Sequence, residues 1–490
     1  MNRISLKTKW LLGGILLLGL VLRLWNINQS FWWDEIWSTL PYATADSLWG
    51  TISQLGYYFN NHILYSVLCR FSIMIFGENE ASARIPALTL GLFGLVAVYQ
   101  FGRTYLNTSI GLTAAYLMAI SIFHIDHSTE ARGYSGFLLF SILSTYYFLQ
   151  ALSNRNGKPW GLYILCTVTA YYFHVIMIAV SISQFLYILL IWLGNRIGKV
   201  KTPTQALYPY FKFTTIAAII TLTLYLPIMK AFIKNMGKVN VIKVDRFPFL
   251  QDLANSIYPG TLSPPGLILY AILFCAGLYF LIKKNTALSL LTVIIIVVPL
   301  TLYILANPMF VSERYFIYAL PFCLFIISSG IHLLTQLLCR TSFQKNLMIT
   351  GLLLILTGLQ TPQALQFFNQ DRQNYREAIS YIEDHKAVNG SYIFTLGYAG
   401  QHFNYYANET VETPQTYKEF RKHLSMSTES WCPITAWLPT LRQPHDNKEF
   451  FSEEPEQEKI HRYIVKNFTL EKNYQDKYQT IIYVLKKNNK

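Results

Sequence analysis

Charge is scarce in this sequence. Asp, Glu, Lys and Arg make up 13% of its 490 residues, where soluble globular domains carry about a quarter. Long stretches hold almost no charge, and lysine and arginine gather between them. That excludes an ordinary soluble enzyme. It fits a chain that crosses a membrane many times, each crossing needing roughly 20 mainly apolar residues. Cysteine is sparse too. Cys69, Cys166, Cys275, Cys323, Cys339 and Cys432 form no C-x-x-C pair, which argues against a disulfide framework or a zinc site built on cysteine. A basic stripe interleaved with exposed aromatics is missing as well. The net charge of +14 therefore does not point to nucleic acid. The chain also lacks internal repeats and mid-span charges, the marks of a transporter or flippase for lipid-linked sugars.

What is present is apolar and aromatic: 52% hydrophobic residues, 16% of the total being Phe, Trp or Tyr. Apolar run length and basic flanks predict an all-α polytopic membrane protein with about eleven transmembrane helices. The opening "MNRISLKTKWLLGGILLLGLVLRLW" resembles a signal peptide, but no small-x-small cleavage site follows, so it is expected to be an uncleaved first span. The run Gly161 to Leu193 is too long for one crossing and is expected to fold back near Tyr172 to Val175. An N-terminus on the cytoplasmic side puts Arg103, Lys158, Lys212, Lys283, Lys284, Arg340 and Lys345 in inner loops, as basic residues prefer. The exception is the segment with Lys230, Lys234, Lys238, Lys243 and Arg246, which falls outside. It reads as a solvated loop face or as a cationic rim for a lipid phosphate. After Leu359 the character changes. Residues 1–360 form the expected membrane domain, with a first outer loop and interfacial helices over about 26–82. Residues 361–490 are expected to form a small extracytoplasmic α/β domain, with a helix in "NYREAISYIEDH" and strands in "SYIFTLG" and "TIIYVLKK".

This topology puts several polar groups on the outer side. Asp34 and Glu35 lie in "SFWWDEIWS". Adjacent residues of a helix point about 100° apart, so the two acids cannot both face one atom. A carboxylate among indoles can take a proton from a sugar hydroxyl; it can equally sit in the first turn of an interfacial helix anchored by tryptophan. "FHIDHSTEARGY" carries His124, Asp126, His127, Glu130 and Arg132. Glu130 and Arg132 could form a local ion pair, or Glu130 could orient a ligand or help hold a metal while Arg132 meets a phosphate. His124 and His127 with Asp126 between them admit a zinc reading, against the more ordinary one of histidines bridging polar groups. His62 stands at the start of an amphipathic stretch read as an interfacial helix. No residue set clearly fixes a metal; no cofactor is expected to be required, and a divalent ion stays compatible. Asn389, Asn408 and Asn467 begin N-x-S/T triplets, which matter only in a glycosylating host.

Taken together, "FWWDEIWS", "NNHILYSVLCRFSIMIFGENEASARIPAL", "HSTEARGYSGFLLFSILSTYYFLQAL", "ERYFIYALP" and "NYREAISYI" resemble, in order and spacing, the GT-C glycosyltransferases of the protein-mannosyltransferase and aminoarabinose-transferase type (family 39-like). The likeness covers about 1–390. It implies a GT-C membrane fold in the plasma (inner) membrane. It also implies inverting transfer of a sugar from a polyprenyl-phosphate donor to a lipid, glycan or protein hydroxyl. Carried over, Asp34 is the general base, Glu35 its neighbour and Glu130 the second carboxylate. His62, Arg84, Arg132 and Arg314 fall with the donor and its phosphate. The chain departs from the family after His62, where Ile63 and Leu64 replace the usual prolines.

Overall fold

Helices dominate, as the charge-poor runs require. A computed structural model describes residues 5–54, 60–153, 157–196, 207–235, 246–261, 263–306, 312–437, 455–475 and 480–488. Two compact units emerge. One joins Met1–Ile27 to Tyr42–Ala364; the other joins Asn28–Pro41 to Leu365–Lys490.

The first unit is helical. Among the described residues, eight helices of the chain are long and apolar enough to cross a membrane. Three further expected spans match helices that miss this standard. Leu6–Leu24 carries Lys7, Lys9 and Arg23, while Thr108–Ile120 and Lys158–Phe173 have only 13 and 16 residues. Large apolar side chains such as Leu222, Leu226, Ile268 and Leu354 stand exposed. In water this would be an aggregation surface; in lipid it is solvated. The chain is thus a multi-pass membrane protein. The expected fold-back lies between Lys158–Phe173 and Met177–Arg196, with His174 at the turn. Of the cationic segment, Lys230 and Lys234 end the helix Leu207–Asn235 and Arg246 opens Arg246–Ile257; Lys238 and Lys243 lie outside the described residues.

Local chemistry sets the helix ends. Asn79 caps Glu80–Tyr105 by accepting from Ser82 N at 2.9 Å, and Ser82 Oγ accepts from Asn79 N at 3.2 Å. Glu80 in the first turn and Arg103 in the last complement the helix dipole. Small residues set the closest packing. A Cβ on Gly330 would lie 2.0 Å from the carbonyl oxygen of Leu273, and one on Gly277 would lie 1.8 Å from that of Ile326. The backbones of Pro264–Lys284 and Leu320–Leu338 therefore touch, which only glycine permits.

The second unit is mixed α/β. Strands β1 (Ser391–Ile393), β2 (Glu429–Trp437), β3 (Thr469–Gln475) and β4 (Thr480–Asn488) form one sheet in the order β1-β2-β4-β3. β1 and β2 are parallel and the other pairs antiparallel. Tyr392, Phe394, Phe420, Leu424, Cys432, Ile460 and Ile464 make its core. The last two lie four apart on Pro455–Asn467, so they share one helix face. Asn28–Pro41 belongs with this unit, whereas the expected boundary left it with residues 1–360. The reason is a set of long-range polar contacts described below.

Candidate active site

In the helical unit, four separated segments bring a basic group together. His62 immediately precedes the helix Ile63–Phe76. Arg132 and Gly133 form the turn before the helix Tyr134–Ser153. His174 follows Phe173, and Arg314 lies in the 3-10 stretch Glu313–Ala319. Tyr134 is the hub: the guanidinium carbons of Arg132 and Arg314 each lie 5.7 Å from its ring centre. The His62 and His174 rings sit 5.1 and 5.3 Å from the Tyr134 ring and 4.7 Å from each other. Arg314 also lies 5.9 Å from the Tyr315 ring. Arg132 Nη2 donates to Asn60 Oδ1 at 2.8 Å.

Glycine makes this approach possible. A Cβ on Gly133 would meet His62 Nδ1 at 2.8 Å and the carbonyl oxygen of Phe173 at 2.9 Å. Instead, Gly133 N donates to His62 Nδ1 at 2.9 Å. That bond leaves the ring proton on Nε2. Burial first, then the nearby Arg132, His174 and Arg314, holds the His62 pKa well below the usual histidine value. Burial, Arg132 and Arg314 likewise push His174 down to about 3. Both rings are therefore neutral at pH 7. His62 Nε2–H lies 3.2 Å from Arg132 Nη2, so two donors face each other. An anion seated there would accept from both.

Beside this group lies a second one. Glu130 is buried, and its Oε1 lies 3.6 Å from His127 Nδ1. The His127 ring is 5.2 Å from that of Tyr134. Asp126, His127 and Glu130 each offer a donor atom within 4.8 Å of the others. His124 does not join them. Arg23 Nη2 lies 2.6 Å from its Nδ1, and Arg23 Nε donates to Ser128 Oγ at 2.7 Å. The two histidines considered together for zinc are thus divided between different partners.

In the mixed unit, the acidic loop is held from both ends. Glu35 is buried and forms an ion pair with buried Arg372 at 3.8 Å; its Oε2 also accepts from Trp32 N at 3.1 Å. Trp33 stacks on His402 with ring centres 4.0 Å apart, and His402 Nε2 lies 3.1 Å from the Trp33 carbonyl oxygen. Trp33 N donates to Gln373 Oε1. These contacts fix the backbone on both sides of Asp34, which begins the π-helical turn Glu35–Thr39 and stays partly exposed. Arg84 is buried, and its Nη1 donates to the Ile27 carbonyl oxygen at 2.9 Å. That contact ties the start of Glu80–Tyr105 to the chain leaving Leu6–Leu24. Sequence reasoning did not single out Arg372, Gln373, His402, Asn60 or Gly133, each of which has its partner far away in the chain.

Comparison with known proteins now bears on this geometry. Residues 61–226 match the family described as dolichyl-phosphate-mannose-protein mannosyltransferase. ArnT from Cupriavidus metallidurans in the apo state superposes over 98% of both chains, at 8% identity and a TM-score of 0.58. The chain has a GT-C fold. The GT-C chain also matches ArnT bound to undecaprenyl phosphate, over 97% of both chains at 9% identity and a TM-score of 0.56. The archaeal oligosaccharyltransferase AglB from Archaeoglobus fulgidus, in complex with an inhibitory peptide and a dolichol-phosphate, aligns over 87% of the GT-C chain and 70% of its own. Its identity is 9% and its TM-score 0.52. No curated protein matches the chain in sequence.

Proposed function

We propose that the protein transfers a sugar from a polyprenyl-phosphate-linked donor to an acceptor hydroxyl, with inversion at the anomeric carbon. The observation that carries this reading is the group around Tyr134. Two guanidiniums and two neutral histidines, His62 buried and His174 half-buried, converge there in a unit otherwise built of apolar helices. A lipid phosphate suits that combination, because its head is anionic and its tail needs lipid. The ligands of the ArnT and AglB structures are lipid phosphates of this type.

The step needs little acid chemistry. The acceptor oxygen forms a bond to the anomeric carbon as the bond from that carbon to the phosphate oxygen breaks. The proton passes from the acceptor hydroxyl to the Asp34 carboxylate. The polyprenyl phosphate leaves as an anion, which Arg132 and Arg314 stabilise without protonating it. Glu35, buried against Arg372, orients the loop while Asp34 takes the proton. Glu130 serves as the second carboxylate. The basic inner loops support an N-terminus in the cytoplasm of a plasma (inner) membrane, with the site and the C-terminal domain outside.

The experiment supplies labelled polyprenyl-phosphate sugars and envelope acceptors to purified protein, wild type and Asp34→Asn. Transfer by the wild type and its loss in a folded Asp34→Asn protein support the reading. Undiminished transfer by Asp34→Asn removes Asp34 as the base, and no transfer from any such donor removes the reaction itself.

A further inference from the structure

The mixed unit carries cations that the proposed reaction does not use. Arg421 lies on the helix Tyr417–Met426, Tyr463 on Pro455–Asn467 and Lys487 near the end of β4. The Arg421 guanidinium carbon sits 4.7 Å from the centre of the Tyr463 ring, and Lys487 Nζ sits 5.1 Å from it. Lys487 Nζ also donates to Tyr463 Oη at 2.8 Å. Three elements thus bring two cations onto one half-buried tyrosine. Exposed Lys418 stands one helical turn before Arg421, on the same face. The acids nearby have other partners. Glu456 pairs with Lys459, Glu458 with Arg462 and Glu429 with Lys486. Among the described residues, neither Arg421 nor Lys487 has an ion-pair partner. Like charges this close repel. The core does not require them there, since Phe420, Leu424, Ile460 and Ile464 make the apolar contacts of these helices.

We propose that Arg421, Lys487 and Tyr463 form a binding site for an acidic glycan, a saccharide bearing carboxylate or phosphate. The planar fork of Arg421 holds two anionic oxygens at once, and Lys487 is a point charge for a third. Half-buried Tyr417, with its ring centre 6.3 Å from that of Tyr463, adds an aromatic surface for the C–H face of a sugar ring. A lipid surface fits this helix less well. Helices that lie on membranes insert an apolar face. Here that face, with Phe420 and Leu424, is packed in the core of the unit, and Lys418, Glu419, Arg421, Lys422 and Ser425 are what it exposes. The site shares no residue with the Tyr134 group. It gives the protein a second recognition function, in a different unit.

The test measures binding without sugar transfer, so its outcome stands apart from the transferase reading. Full-length protein in phosphatidylcholine nanodiscs is titrated with tetragalacturonate, glucose phosphate, maltotetraose and inorganic phosphate. At least one of the two acidic saccharides should bind about 10-fold or more tightly than maltotetraose and inorganic phosphate do. Arg421→Gln with Lys487→Gln should remove about 10-fold or more of that affinity, the worth of one charged hydrogen bond. Lys283→Gln with Lys284→Gln, which takes the same charge from the helical unit, should leave it intact. Undiminished binding by the Arg421→Gln/Lys487→Gln protein overturns the proposal. So does equal affinity for maltotetraose or for inorganic phosphate. Binding to phosphatidylglycerol vesicles in place of either acidic saccharide overturns it in favour of a lipid surface. Labelling of the wild type decides the matter even where the variants do not fold. Bound acidic saccharide should shield Lys487 and Lys418 from amine acetylation, read by mass spectrometry; unchanged labelling of both overturns the site.

Discussion

Glu35 and Arg372 pair at 3.8 Å with both side chains fully excluded from solvent. One belongs to the tryptophan-rich loop near the N-terminus, the other to the stretch leading into the helix Tyr375–His385. The pair explains why Asn28–Pro41 packs with the C-terminal residues. It also separates the roles of two neighbouring acids, since Glu35 is committed to Arg372.

Breaking this pair should therefore act on stability. Glu35→Gln leaves the Arg372 charge buried, a loss of about 3–5 kcal/mol for a pair of this kind. The melting temperature of the purified protein is expected to fall clearly. Replacing both members, Glu35→Leu with Arg372→Met, should recover much of the loss. An unchanged melting curve for Glu35→Gln alone would show that the pair does not hold the loop in solution.

Asp34→Asn should behave in the opposite way. Its melting curve should match the wild type, while turnover falls by roughly 10²–10⁴, the usual worth of a general base. Rates measured at saturating donor and acceptor check this. A variant that loses stability and turnover together would mean that Asp34 supports the loop instead.

Arg314→Ala and Arg132→Ala should weaken donor use more than turnover. A charge-assisted hydrogen bond contributes about 1.5–3 kcal/mol, so the apparent donor affinity should fall about 10- to 150-fold. Lysine at either position should restore part of it. An unaltered donor affinity in both alanine variants would take the phosphate away from Tyr134.

Gly133→Ala tests the close approach. Its Cβ would meet the His62 ring and a backbone carbonyl at less than 3 Å, and overpacking of this sort costs about 1–3 kcal/mol. A lower melting temperature and weaker donor binding are expected together. Wild-type behaviour in both would mean that His62 and Gly133 are not in contact.

Acid should destabilise the helical unit through its histidines. Burial and the neighbouring arginines hold His174 at about 3 and His62 well below its usual value. Unfolded histidine titrates near 6.5, so below that pH the unfolded chain binds protons that the folded chain refuses. Each histidine then costs about 1.4 kcal/mol per pH unit. The His174 contribution to this loss continues from pH 6.5 down to about 3. Unfolding measured between pH 7 and 4 should show this slope, and His174→Asn should flatten it. An equal slope in the variant would assign the loss to other groups.

The sequence by itself determined the membrane-spanning character, the turn at His174, the helix after His62, and one helix and two strands of the C-terminal unit. It could do so because lipid and water act on each segment through its local composition. Run length, basic flanks and residue period carry that information over a few turns of chain. It also singled out Asp34, Glu35, Glu130, Arg132 and Arg314, because charges are rare where most of the chain is apolar. Tertiary structure decided what those charges meet. It joined Glu35 to Arg372, set Arg132 and Arg314 on one tyrosine, sent His124 to Arg23 and His127 to Glu130, and bound Arg84 to the carbonyl of Ile27. Most of these partners lie far apart in the chain. A buried charge takes whichever partner the packed backbone brings within reach, and no local pattern encodes that choice.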